Sequence, residues 1–222
     1  MVKGMPTPKP SSMVSADTPI RLAGDEKRWV SRGALKLLAA LDAFPVEVAG
    51  KRVLDVGAST GGFTQVLLEA GAEHVVSLDV GRGQLHEFLR AHQNVTSMER
   101  TNFRNVSASE LGTFSLVVAD VSFISLCTLA EKFSEVGEAA ADYLLLVKPQ
   151  FEARRGDVGR GGIVTDPEVR WQSVEKVLAC LDVAGIGAQN VIMSPIKGSD
   201  GNVEYLLWLR KGDKIVDVEV PN

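Results

Sequence analysis

The sequence is poor in cysteine, with only Cys127 and Cys180 among 222 residues, and both stand in apolar surroundings. This predicts neither a disulfide framework nor a cysteine-based metal site. The three histidines also lack the spacing of a ligand set, so no metal is expected. No apolar run approaches the ~18 residues that a membrane-spanning helix requires, and the N-terminus lacks the apolar core of a signal peptide. We therefore expect a cytoplasmic protein without a membrane partner.

A general excess of basic charge is also missing, since 24 Lys and Arg face 28 Asp and Glu, for a formal net charge of −4. Overall charge therefore gives no support for nucleic-acid binding. Two local basic clusters would hold a phosphate backbone if they converge in space, and ordinary solvated surface is the alternative for each. The candidate RNA-binding residues are Lys27, Arg28 and Arg32 in one cluster and Arg154, Arg155 and Arg160 in the other.

From residue 50 onward, short apolar runs alternate with helical patterns. This alternation predicts an α/β fold with a doubly wound, mostly parallel, seven-stranded sheet covered on both faces. The predicted strands are Arg52–Val56, His74–Asp79, Val95–Glu99, Ser115–Asp120, Tyr143–Val147, Asn190–Met193 and Val203–Arg210. The predicted helices between them are Phe63–Ala70, Gln84–Ala91, Ser125–Phe133 and Pro167–Ala184.

The chain divides by composition into three parts. Residues 1–26 are rich in Pro, Ser and Thr and predict an extended arm, residues 27–212 form the α/β domain, and residues 213–222 are a tail. A helix is expected over Arg32–Ala43, with Ser31 as its N-cap and Leu35, Leu38 and Leu41 directed toward the core. Proline at position 45 follows its end.

The segment Val53–Leu68 has the pattern of a buried strand, a glycine-rich turn and a helix that begins near Phe63. Backbone N–H groups at such a turn bind ligands. The turn is neither GxGxxG nor GxxxxGK[ST], because no lysine follows Gly62. Asp55 would repel a pyrophosphate but attract a cationic ligand, which favours S-adenosylmethionine (AdoMet) through its ammonium group. Asp79 closes the next strand, where a carboxylate suits ribose hydroxyls; a helix cap or turn is the alternative.

Charged residues also follow later strands. Asp120 and Lys148 each close a strongly apolar strand at the edge where ligands of such sheets bind. A structural salt bridge is the alternative interpretation. Lys36 interrupts an apolar helix and Glu204 begins the final strand, so the four residues form a Lys–Asp–Lys–Glu set.

With these residues in that order, the chain resembles the FtsJ-like ribose 2′-O-methyltransferases and, within them, the TlyA-type rRNA methyltransferases, also called haemolysin A. The resemblance covers roughly residues 27–211. It rests on sequence blocks that occur in the same order, namely WVSRGA from Trp29, LDVGASTGGF from Leu54, LDVG from Leu78, DVSFIS from Asp120, VKPQFE from Val147, VTDPE from Val164, and SPI from Ser194 followed by GNVE from Gly201.

The resemblance implies a Rossmann-like AdoMet-dependent methyltransferase that acts on cytidine 2′-hydroxyls of 16S or 23S ribosomal RNA, with AdoMet as cofactor. It implies catalytic roles for Lys36, Asp120, Lys148 and Glu204. TlyA-type proteins carry an S4-like RNA-binding domain before this region, and residues 2–11 resemble only its last portion. The expected cofactor-binding residues are Asp55, Gly57, Ala58, Ser59, Thr60, Gly61, Gly62, Phe63, Asp79 and Asp120.

In this scheme Lys148 is the base, which burial and the neighbouring cation of Lys36 favour by opposing protonation. Lys36 also positions the 2′-hydroxyl, and the two acidic residues orient Lys148 and place the substrate. Three alternatives remain at this point. They are a dinucleotide-dependent oxidoreductase, which Asp55 and the glycine spacing disfavour, a haemolysin-like protein with an indirect lytic effect, and a non-catalytic RNA- or ribosome-binding module.

Overall fold

The computed structural model describes residues 28–216, 218, 219 and 221, and the predicted arm and Lys27 lie outside this range. Its centre is one seven-stranded sheet in the order β3-β2-β1-β4-β5-β7-β6. Only β7 runs antiparallel to its neighbours, so the predicted doubly wound, mostly parallel sheet is confirmed. The strands are β1 (Arg52–Val56), β2 (His74–Leu78), β3 (Val95–Met98), β4 (Phe114–Ala119), β5 (Gly137–Val147), β6 (Ile186–Met193) and β7 (Tyr205–Lys211).

Helices cover both faces of the sheet. Strand β4 shows this arrangement. Leu116 and Val118 pack into the core beneath the helices Gly33–Ala43 and Gly62–Glu69, whereas Val117 and Ala119 pack into the core beneath the helices Ala130–Val136 and Pro167–Val183. A strand buried on both faces is continuously apolar, as the sequence predicted. The helices are α1 (Gly33–Ala43), α2 (Gly62–Glu69), α3 (Glu87–Arg90), α4 (Ala108–Leu111), α5 (Ala130–Val136), α6 (Pro149–Glu152) and α7 (Pro167–Val183).

Residue types that begin or end helices and strands predicted some element boundaries well. Strand β1 has the predicted limits, and α7 begins as expected, with the Asp166 side chain accepting a hydrogen bond from the Glu168 N–H at 2.9 Å. Helix α3 is shorter than predicted, and a 3₁₀ helix (Leu126–Leu129) precedes α5. The short helices α4 and α6 were not predicted, because four residues are too few for an amphipathic period to appear.

The first helix differs from its prediction in two respects. Its N-cap is Arg32 rather than Ser31, and no side chain caps it. Its buried face is formed by Ala34, Lys36, Leu37 and Ala40, whereas Leu35 is 41% exposed. The reason is that Ala34 and Ala40 allow α1 to pack closely against α2. The helix face that includes Lys36 is therefore buried, and Leu35 faces the solvent.

The prediction of no disulfide framework is wrong for these two cysteines. Cys127 and Cys180 form a disulfide with their Cα atoms 5.3 Å apart, which joins the 3₁₀ helix to α7. These residues are 53 positions apart in the sequence, and only the packing of α7 against the 3₁₀ helix brings them together.

Candidate active site

The site lies where β1 and β4 are adjacent, which is the switch point of the strand order and the place where such sheets bind ligands. The turns that follow the two strands touch here. Gly57 has a φ of +84°, and a Cβ at this position would lie 2.5 Å from the Asp120 carbonyl oxygen. Only glycine therefore allows this close approach. It brings the glycine-rich turn of residues 57–62 against the residue that closes β4.

Asp55 does not reach the ligand side of this turn, contrary to the expectation from sequence. Its side chain is fully buried and lines neither cavity of the site. Its Oδ2 accepts a hydrogen bond from the Thr64 hydroxyl at 2.6 Å, and Thr64 in turn contacts the Ser77 hydroxyl at 2.8 Å. The geometry thus places Asp55 beneath the turn, where it ties β1 to α2, rather than in contact with a ligand.

Burial raises the pKa of the Asp55 carboxyl from 3.8 to about 7, with the hydrogen bond from Thr64 opposing this and the charge of Asp120 adding to it. Between these two values the folded protein retains a proton that the unfolded chain has released. Stability is therefore greatest below the lower value and falls as pH rises toward the higher one. Since one pKa unit corresponds to about 1.4 kcal/mol, the loss across this interval is on the order of 4 kcal/mol.

Asp55→Asn is expected to remove most of this dependence, because the amide does not titrate. The measurement is urea unfolding of both proteins between pH 4 and pH 8. Asp42→Asn is the matched control, since Asp42 is an exposed aspartate of α1 and its replacement should leave the slope unchanged. A wild-type slope in Asp55→Asn would contradict the assignment.

A cavity of about 560 Å³ opens beside Asp79, and we call it the Asp79 cavity. The Asp79 carboxylate accepts hydrogen bonds from the Ser59 N–H at 2.8 Å and the Gly81 N–H at 2.7 Å. The volume falls within the range of small-molecule sites. Its wall combines polar and apolar side chains and is formed by Val56, Gly57, Ser59, Leu78, Asp79, Val80, Gln84, Asn102, Phe103, Arg104, Asp120, Val121, Ser122, Phe123, Ile124 and Leu129.

This wall fits an adenosine group. A carboxylate at the end of β2 can bind ribose hydroxyls, and Asn102 beside Phe103 offers an amide and an apolar surface for a purine ring. Ser59 has a φ of +48°, a strained value for a residue other than glycine, and it lies at the cavity wall. Such strain concentrates at sites that bind ligands.

The residues of the glycine-rich turn differ in which cavity they line. Gly57 and Ser59 line the Asp79 cavity and also a second cavity, whereas Ala58, Gly62 and Phe63 line the second cavity alone. Thr60 and Gly61 line neither. Gly61 packs against Leu85 and Leu89, where a Cβ would come within 2.3 Å of a leucine methyl. These two residues shape the turn, and a direct ligand contact by them remains a prediction.

The second cavity, which we call the tetrad cavity, measures about 490 Å³ and contains the four charged residues of the predicted catalytic set. Lys36 Nζ lies 2.6 Å from Glu204 Oε2 and 3.6 Å from Asp120 Oδ2. Lys148 Nζ lies 2.6 Å from Asp120 Oδ1. Asp120 therefore bridges the two lysines, and α1, the turn after β4, the end of β5 and the start of β7 each contribute one member.

Burial of these four charged side chains carries a desolvation cost. The Glu204 side chain is 2% exposed, that of Lys36 9% and that of Lys148 11%. Charges removed from water in this way cost several kcal/mol each unless they are paired, and all four are paired here. The formal charges of the two lysines and the two acids cancel within the cluster.

The two cavities share a wall formed by Gly57, Ser59, Asp120, Ser122 and Phe123. A ligand seated beside Asp79 would therefore end next to the catalytic set, and a second ligand would approach the same point from the tetrad side. This is the geometry for a transfer between two substrates.

The predicted RNA-binding arginines are dispersed. Arg32 is exposed and lines the tetrad cavity. Arg28 pairs with Glu69 at 3.0 Å and lies over the Trp29 ring, while Arg154, Arg155 and Arg160 are exposed and line neither cavity. The structure thus brings one of these arginines to the site, and the role of the others remains a prediction.

Sequence reasoning missed several residues of the site. Ser122 and Phe123 stand on the shared wall, Asn102 lines the Asp79 cavity, and buried Glu152 accepts hydrogen bonds from the turn after β4. A signal existed for the first two, since they follow Asp120 directly at the end of a buried strand. No spacing rule pointed to Asn102 or Glu152.

Among the residues that the structure describes, no group of His, Cys, Asp and Glu is arranged to hold a metal ion. No helix within the same residues is long and apolar enough to cross a membrane.

Comparison with known proteins identifies the family. The family model of the FtsJ-like methyltransferases matches residues 29–211. The 16S/23S rRNA (cytidine-2′-O)-methyltransferase TlyA of Mycobacterium tuberculosis is 49% identical over 211 residues, which cover 94% of this chain and 79% of that protein. The resemblance inferred from the ordered sequence blocks is therefore confirmed.

Solved structures agree. A crystal structure of a candidate hemolysin from Lactococcus lactis has a TM-score of 0.83 and 43% identity, covering 89% of this chain and 95% of that one. The fibrillarin of Aeropyrum pernix, crystallised with natively bound S-adenosyl-L-methionine, has a TM-score of 0.57 at 16% identity, covering 79% of this chain and 75% of that one, and shares the fold alone. The chain belongs to the FtsJ-like methyltransferase family.

Proposed function

We propose that this protein transfers a methyl group from AdoMet to the 2′-hydroxyl of a cytidine in ribosomal RNA. The observation that carries the proposal is the tetrad itself, in which two lysines and two acids meet at the wall that the cavities share. Its relative in M. tuberculosis bears the name of a 16S/23S rRNA (cytidine-2′-O)-methyltransferase, which supports the choice of substrate.

The residues of the Asp79 cavity are the ones that would hold AdoMet, with Asp79 on the ribose and the turn of residues 57–62 along the amino-acid moiety. When bound, AdoMet supplies a methyl group on a sulfonium, which is already a strong electrophile. The protein therefore has to align the 2′-hydroxyl with that methyl group and remove its proton.

Within the tetrad, Lys148 takes the proton. Its Nζ lines the tetrad cavity and is held by Asp120 at 2.6 Å. Lys36 is fixed by the buried Glu204 carboxylate and presents its ammonium to the same cavity, where it can donate a hydrogen bond to the ribose oxygen. Asp120 orients both lysines, and Glu204 orients Lys36.

Phe123 is the candidate contact for a base of the RNA. Its side chain is 90% exposed, and its φ of +64° is a strained value for a residue other than glycine. Its ring lies 5.1 Å from the ring of Phe151, at the shared wall of the two cavities. An exposed aromatic ring held in this way is a stacking surface for a nucleobase.

Phe123→Ala is expected to weaken RNA binding by about 1–3 kcal/mol, the range for loss of one stacked base. Filter binding or fluorescence anisotropy with the rRNA substrate measures this. Phe88→Ala is the matched control, because Phe88 is 48% exposed on α3 and lines neither cavity. Equal losses in the two variants would show that the Phe123 ring has no specific contact.

The proposed function is tested with AdoMet that carries a tritiated methyl group, incubated with 16S rRNA, 23S rRNA and whole ribosomal subunits. Tritium is expected in rRNA, at a cytidine whose 3′ linkage then resists alkaline hydrolysis because its 2′-oxygen is blocked. Label on a base, or no label on any of these substrates, would contradict the proposal. Because ribosomal RNA is the proposed substrate, we place the protein in the cytoplasm.

A further inference from the structure

Lys148 has a second polar partner besides Asp120. Its Nζ donates a hydrogen bond to the Ser122 hydroxyl at 2.8 Å, while Asp120 Oδ1 lies at 2.6 Å. Within the described residues these two oxygens are the polar contacts of Nζ. Both belong to the turn after β4, and Lys148 closes the neighbouring strand β5.

The number of partners matters for a base. A neutral amine has two N–H groups and one lone pair, and only the lone pair accepts a proton. When Asp120 and Ser122 accept the two N–H groups, the one direction left at tetrahedral nitrogen belongs to the lone pair. With Asp120 alone, the amine can rotate about its Cε–Nζ bond, and the lone pair is distributed between two directions.

The chemistry of serine suits this task. A hydroxyl accepts an N–H without adding a negative charge, whereas a second carboxylate would stabilise the protonated form of the lysine and oppose its use as a base. Asp120 is the charged group in contact with Lys148, at 2.6 Å. The cavity that Lys148 lines also contains the charged residues Arg32, Lys36, Lys197, Asp200 and Glu204. The Ser122 hydroxyl fixes the orientation of the Lys148 amine without adding a charge to these groups.

Side-chain contacts hold the turn that carries Ser122 in place relative to Lys148. Glu152 lies four residues after Lys148 and accepts hydrogen bonds from the Ser125 hydroxyl at 2.5 Å and the Leu126 N–H at 2.7 Å. The turn that carries Ser122 is therefore fastened to the segment that carries Lys148 at two points. The packing of Phe123 on Phe151 adds a third contact between the same two segments.

We propose that Ser122 is a positioning residue for methyl transfer, whose hydroxyl accepts one N–H of Lys148 and so directs the lone pair of that amine at the 2′-hydroxyl of the substrate. The proposal rests on the proposed function, since it assigns a role within the same reaction. It is nevertheless tested separately, because the wild-type activity and the Ser122 variants are measured independently.

The experiment measures single-turnover methyl transfer as a function of pH for the wild type, Ser122→Ala and Ser122→Thr. For Ser122→Ala we expect the plateau rate to be lower by about 10- to 100-fold, because a misdirected reacting group slows a reaction by roughly this factor. The KM values for RNA and AdoMet should change little. The rising limb of the profile should also move to lower pH, because an acceptor of the ammonium form is lost. Ser122→Thr keeps the hydroxyl and should restore both features.

Several outcomes would overturn the proposal. One is a wild-type plateau and profile in Ser122→Ala, and another is a loss confined to KM. A third is a Ser122→Thr variant as slow as Ser122→Ala. Ser122 is exposed, so thermal unfolding is expected to show that both variants are folded. Failure of the wild type itself to methylate any RNA would contradict the proposed function and is distinguished from these results.

Discussion

Lys148→Ala is expected to lower the rate of methyl transfer by about 10²–10⁴-fold, which is the usual contribution of a general base. AdoMet binding should persist, because Lys148 lines the tetrad cavity and takes no part in the wall of the Asp79 cavity. The rate is measured with tritiated AdoMet and saturating RNA, and cofactor binding by calorimetry. A loss of both together would show that the variant has damaged the site as a whole.

The matched control is Lys51→Ala. Lys51 is also a partly buried lysine paired with an aspartate, since its Nζ lies 2.9 Å from Asp142 Oδ2, but it precedes β1 at the opposite end of the sheet. Its loss removes a comparable ion pair without touching either cavity. Wild-type turnover is expected for Lys51→Ala, and turnover by Lys148→Ala near the wild-type rate would disprove the role of Lys148 as the base.

Lys36→Met is expected to affect both stability and activity. The substitution leaves the Glu204 carboxylate, 2% exposed, without its ion-pair partner at 2.6 Å. Removing one member of a buried pair costs about 3–5 kcal/mol, because the remaining charge is buried and uncompensated. Methyl transfer should fall in parallel, since the ammonium that positions the 2′-oxygen is gone.

The double variant Lys36→Met/Glu204→Gln separates these two effects. It has no unpaired charge at this position, so most of the lost stability should return, whereas methyl transfer should remain low. Urea unfolding and the transfer assay measure the two quantities. Lys51→Met provides a control for a less deeply buried pair, whose side chains are 23% and 12% exposed, and a smaller loss of stability is expected there. A double variant as unstable as Lys36→Met would contradict the assignment.

Much of the fold could be predicted because it depends on local patterns. Strand β1 is a continuous apolar run that ends at glycine, and α7 begins with an aspartate and a proline, so both signals lie within a few residues of the boundary that they define. No comparable local signal marks the first part of β5, which begins at Gly137 rather than at the predicted Tyr143, or the short helices α4 and α6. Their limits follow from pairing with neighbouring strands and from contacts across the sheet.

The candidate site was only partly accessible from the sequence. The four charged residues were identifiable because each interrupts or closes an apolar segment, and the resemblance then supplied their joint role. Asp55 was misplaced because a strand residue beside a glycine turn can face either side of the sheet, and this one faces α2 and Thr64. Phe123 was missed although it lies close behind Asp120, because the exposure and backbone conformation that make it a candidate exist only in the folded turn.

The sequence by itself determined the α/β class, the glycine-rich turn and the identity of the four charged residues, since each depends on residue type and spacing along the chain. The tertiary structure alone decided which of those charges touch. In the folded protein Lys36 forms an ion pair with the buried Glu204, and Lys148 contacts both Asp120 and Ser122. Cys127 and Cys180 form a disulfide. The physical reason is that each of these contacts joins segments far apart in the chain, and their distances are set by how helices and strands pack on one sheet.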